Sequence, residues 1–193
     1  MRNFVILLVL ALAISGSCSS NSQRQPTEQE KYLNQVNDIL DAINKEPFSE
    51  RFLRCPGGYG ASGASVYSNV IAGQTDVKFL IGHSEIAFPL MFKRIEKISN
   101  DSPSLILYFI VFQHTKSVES IPYLVDYFTS CPEEPIEHFG TFSSVFTFAV
   151  IAAEEITSLK LVKYDESKKL LNPSIQSLDI AKKLRQWYEE HKK

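Results

Sequence analysis

The sequence predicts an all-α protein, a short α-solenoid of packed helical hairpins carried behind an export signal. Three observations carry that expectation. Apolar residues recur at spacings of three and four through most of the chain beyond Thr27. An apolar-proline pattern returns after about 33 residues, the length of one helix–turn–helix unit. Residues that start and stop helices flank the apolar runs.

The chain opens on a different kind of segment. Arg2 supplies a positive start, and Phe4 to Ile14 is an unbroken apolar run. Ser15-Gly16-Ser17 then leads to Cys18. These are the parts of a secretory signal peptide. The apolar run is too short to span a bilayer core of about 30 Å as an anchor. Residues 1–17 therefore read as a signal peptide. Residues 18–26, which lack apolar side chains after Cys18, read as a flexible tether. Residues 27–193 read as one helical domain, a size that buries most of its unfolded surface. Ser15-Gly16-Ser17-Cys18 resembles the cleavage site of bacterial lipoproteins, with Ser15 where that family usually has Leu. The resemblance implies a lipid on Cys18 and a membrane-anchored protein of the cell envelope. The alternative is an ordinary signal peptide and a periplasmic or secreted product.

Composition narrows the function classes. The chain of 193 residues is 44 % hydrophobic and 22 % charged, which is globular. Its formal net charge of −2 gives no basic footprint for nucleic acid. No Lys/Arg cluster marks a polybasic membrane surface either. Three cysteines are present. With Cys18 lipidated, Cys55 and Cys131 remain as a pair. In an oxidising compartment they suit a disulfide. It would close a loop of about 76 residues and stabilise by about 4 kcal/mol in the chain-entropy model. Two buried thiols are the alternative.

The helices follow in order. Thr27 and Glu30 form a capping-box signature. Leu33, Val36, Leu40 and Ile43 then define one apolar face, and Pro47 closes the helix. Residues 54–65 hold half of the chain's eight glycines and read as a loop. Val66 to Ala72 suits a helix better than a strand. Asp76 to Gly82 and Glu85 to Ile98 form a first hairpin. Ser102 as N-cap and Pro103 at the first helical position restart the chain. Eight consecutive apolar residues from Leu105 suit a helix or a buried strand, which periodicity cannot separate. Val118 to Ser130, Phe142 to Ile156 and Ser174 to Lys192 are further helices.

The repeat lies in Phe88-Pro89-x-Met91-x-x-Arg94-Ile95 and Ile121-Pro122-x-Leu124-x-x-Tyr127-Phe128. Each proline is expected in the first turn of its helix, where no N–H is needed. Together with Gly82 before the first copy, these residues resemble HEAT-type helical repeats. Ala152 to Thr157 and the closing Leu184 to Glu189 resemble a tail of some bacterial members. The resemblance covers about residues 75–193. It implies a binding surface for other macromolecules, and no catalytic activity.

Candidate chemistry is sparse. Gly58-Tyr59-Gly60-Ala61-Ser62-Gly63 matches a dinucleotide fingerprint, but no apolar strand precedes it. Ser62 and Ser65 lie outside any nucleophile elbow. None of the four histidines, His83, His114, His138 and His191, belongs to a zinc motif. No cofactor and no metal is expected. The function expected is binding of a protein partner in the envelope. The alternatives are an envelope hydrolase pairing the Gly/Ser-rich loop with His83 or His138, and an immunity or inhibitor lipoprotein whose acidic loop 133–138 meets a basic target.

Overall fold

The computed structural model describes residues 26–45, 64–100, 102–130, 145–161 and 173–192. Cys18, Cys55 and Cys131 lie outside the described residues. So do the signal peptide, Pro47, the Gly-rich loop 57–63 and the acidic loop with His138. The described residues are all-α, with eight α-helices, one 3-10 turn and no strand among them. The chain divides into two compact units, 1–31 and 32–193.

In the first unit the expected capping box is present. Thr27 N–H donates to the Glu30 carboxylate at 2.6 Å, and Glu30 N–H donates to Thr27 Oγ1 at 3.2 Å. Two orphan donors are thereby satisfied reciprocally. The backbone N–H of Thr27, then its hydroxyl, hold the Glu30 carboxyl below its ordinary pKa. Helix α1, Glu28–Lys45, starts here and runs into the second unit. There Val36, Leu40 and Ile43 are buried, one face of the helix as their spacing requires. Arg94 clamps that stretch from outside, pairing with the Asp41 carboxylate and donating to Asn37 Oδ1 at 3.1 Å.

Helix α2 spans Ala64–Ala72, settling that segment as helical. Helices α3, Thr75–Gly82, and α4, Ser84–Ile95, form the first hairpin. His83 is the single residue between them, with φ −120° and ψ 37°. Helix α4 ends three residues before the expected Ile98. Lys97 N–H bonds to the Arg94 carbonyl and Ile98 N–H to the Ile95 carbonyl, both i to i+3. That tighter pattern closes the helix. Helix α5, Ser104–Thr115, resolves the ambiguous apolar run as a helix. Its first bonds are accepted by the carbonyls of Ser102 and Pro103. Residues 105–113 are all buried, and α2, α3, α4 and α7 pack around it. A helix covered on every side needs no polar face, so its periodicity vanishes.

Lys116 ends α5 in the left-handed conformation, φ 51°. Val118–Ser120 is a 3-10 turn, and α6 follows at Ile121–Thr129. Helix α7 is Val145–Thr157 and α8 is Pro173–His191. Helix α5 packs on α7, and α6 packs on α8.

The two repeated prolines occupy different positions. Pro122 stands in the first turn of α6, as expected. Pro89 stands inside α4 and on its exposed side. It is not a first-turn residue, because α4 starts at Ser84. The matching stretch before α6 is instead the 3-10 turn. Pro89 removes the N–H that the Glu85 carbonyl would accept, a defect tolerated only because the site faces solvent.

Candidate functional site

A groove of roughly 210 Å³ opens where the end of α4 meets α5 and α6. Three local patterns build it. Beyond Ile95 the chain turns back, and Asn100 Nδ2 donates to Ser130 Oγ at 2.7 Å, tying this turn to the end of α6. Leu105 and Phe109, four apart on α5, supply an apolar floor. Tyr123, Asp126 and Tyr127 share one face of α6 through their i, i+3, i+4 spacing.

Aromatic packing fixes the walls. Phe92 stacks on Tyr123, with ring centroids 4.1 Å apart and planes 10° apart. Phe109 meets Tyr127 edge-on at 5.1 Å. Rigid rings on two helices hold the opening in shape.

The charge of the groove is one-sided. Glu96 and Asp126 line it, and no Lys or Arg side chain does. Burial first, then the carboxylates of Glu96 and Asp126, push the Tyr123 hydroxyl above its ordinary pKa. The C-terminal carbonyls of α4 add partial negative charge from the same side. Arg94, in the last turn of α4, is engaged by Asp41 and Asn37.

A second polar cluster lies between α2 and α5. Ser68, fully buried, donates its hydroxyl proton to Gln113 Oε1. His114 Nε2 lies 3.3 Å from the same hydroxyl. Burial, the leading cause, lowers the His114 pKa. Glu155 raises it and Lys116 lowers it. Lys116 itself pairs with Glu155 of α7 at 3.4 Å. A serine beside a histidine invites a nucleophile reading. Its burial and its donation to Gln113 oppose that reading. The cluster bridges two helices by satisfying buried polar groups.

The other described histidines are engaged locally. His83 Nδ1 donates to the Phe79 carbonyl at 3.0 Å, and its ring stacks on Phe79 at 4.1 Å. His191 Nδ1 donates to the Trp187 carbonyl at 2.7 Å. A carbonyl can only accept, so Nδ1 carries the proton in both. Ser65 lies within α2, while Ser62 and His138 lie outside the described residues. Among the described residues no three His, Cys, Asp or Glu side chains gather for a metal. No described helix is long and apolar enough to cross a membrane.

Sequence reasoning missed both clusters. The groove draws on residues 95–100, 105, 109 and 123–127, and Ser68 meets Gln113 across 45 positions. Only the spacing of Tyr123, Asp126 and Tyr127 offered a local signal. No protein-family model, no curated protein and no solved structure matches this chain.

Proposed function

We propose that this is an exported protein, held in the cell envelope by lipid on Cys18, whose HEAT-like helical domain binds a protein partner. The observation that carries the binding role is the groove, concave and half apolar with two carboxylates among its lining residues. The signal-like start and the apolar-free tether before Thr27 support anchoring. Successive hairpins, with α3 packed on α5 and α5 on α7, support the repeat reading. In this reading the domain binds and does no catalysis, and the anchor sets where it meets its partner.

Two measurements test the proposal. Mass spectrometry of the mature N-terminus is expected to find lipid on Cys18, and an unmodified terminus would remove the anchor. A photo-crosslinking residue in place of Tyr123 is expected to give one discrete adduct in intact envelopes. The same residue in place of exposed Asn69 on α2 is expected to give none. Equal labelling at both positions would remove the groove as the binding surface.

A further inference from the structure

The groove's size and charge restrict what can enter it. At roughly 210 Å³ it is smaller than the ~300–1,000 Å³ clefts that enclose drug-sized ligands. It suits one long side chain better than a whole metabolite. Ile95 and Ile98, the partly exposed apolar residues of the lining, favour an alkyl stem, since removing apolar surface from water is favourable. Glu96, Asp126 and the end of α4 favour a positive head. The head of such a side chain stays near the rim, where both carboxylates are exposed and still hydrated.

We propose that the groove takes an arginine side chain carried by the protein partner, its stem against Ile95 and Ile98 and its guanidinium paired with Glu96 and Asp126. The choice of arginine over lysine follows from the layout. The acceptors come from two separate elements, the turn after α4 and helix α6. A planar fork with five donors reaches two acceptors, whereas an ammonium is a point charge. Guanidinium is also more weakly hydrated and packs on tyrosine rings, and Tyr123 and Tyr127 both line the groove. This inference rests on the proposed binding role and names the chemistry of its contact.

The test uses the full chain in detergent micelles and three capped tripeptides, with Arg, Lys or citrulline between two alanines. Citrulline keeps the stem and the planar head but loses the charge. Tyrosine ring signals of Tyr123 and Tyr127 are followed by NMR during titration. The arginine peptide is expected to shift them saturably. Citrulline and lysine peptides are expected to bind about tenfold more weakly. The Glu96→Gln/Asp126→Asn double variant is expected to lose a similar factor for arginine alone. Both sites are exposed, and circular dichroism checks that helix content is kept. If that variant fails to fold, the citrulline arm on the unaltered chain decides. Equal binding of citrulline or lysine, undiminished binding by the folded double variant, or no saturable shift would each overturn the proposal. Groove-specific crosslinking without arginine selectivity would remove this inference alone and leave the binding role standing.

Discussion

Helices α1 and α5 are both strongly helical, and they hold their places by opposite means. Helix α5 is buried from Leu105 to Gln113 and makes its contacts all round. Within the second unit, α1 buries only Val36, Leu40 and Ile43, and adds a polar clamp from Arg94 to Asp41 and Asn37. The difference teaches where the cooperativity of the domain resides. A helix surrounded by four others cannot loosen without loosening them. A helix resting on one stripe can open by itself, at a free energy below that of global unfolding.

The largest effect is expected in α5. Phe112 is fully buried, with its ring against Phe88, Phe92 and Phe109. Phe112→Ala is expected to cost about 3–5 kcal/mol in urea unfolding, with loss of exchange protection across every helix. A loss below about 1 kcal/mol would contradict the central role given to α5. In α1, Leu40→Ala is expected to cost about 2–3 kcal/mol, near the lower end for a buried leucine. Here hydrogen exchange should rise in α1 while α5 keeps its protection. If both helices lose protection together, the contrast between them fails.

A smaller effect probes how α5 is joined to α2. Ser68→Ala leaves the buried Gln113 amide oxygen without its hydroxyl donor and is expected to cost about 1–2 kcal/mol by thermal melting. His114 makes this junction sensitive to pH. Its pKa in the folded protein lies below the ordinary value of 6.5, chiefly through burial. Between the two values the unfolded chain binds more protons, so stability rises with pH there. Stability is therefore expected to fall as pH drops below about 6.5 and to level off below the folded pKa. His114→Asn should flatten that slope, and an unchanged slope would assign it to other groups. The smallest effect belongs to the start of α1. Thr27→Ala removes the capping hydroxyl and is expected to cost about 1 kcal/mol of local helix stability, read as faster exchange at Lys31.

Legibility in the sequence followed the distance between interacting residues. The Thr27–Glu30 cap was legible because both partners lie within one turn. The face of Val36, Leu40 and Ile43 was legible because one-sided burial imposes a period. The run from Leu105 was ambiguous for the opposite reason, since burial on all sides erases the period that separates helix from strand. The overlong end assigned to α4 arose because apolar spacing continues to Ile98 after the α-helical bonds have given way to i to i+3 bonds, and the misplaced Pro89 has a separate cause. Apolar-proline spacing set both prolines alike, but it does not record whether the turn before each is α-helical, as before Pro89, or 3-10, as before Pro122. The groove was invisible because three elements assemble it and each contributes ordinary residues.

The encirclement of α5 has a consequence for how this chain can be edited. Open helical arrays tolerate loss or duplication of a terminal unit, because each unit touches only its neighbours. Here α2, α3, α4 and α7 all lean on the same twelve-residue helix. Deleting any one of them would put part of an uninterrupted apolar surface in contact with water. Length variation is therefore expected in the connections and at the ends of the chain, while the helices around α5 are inherited together or not at all.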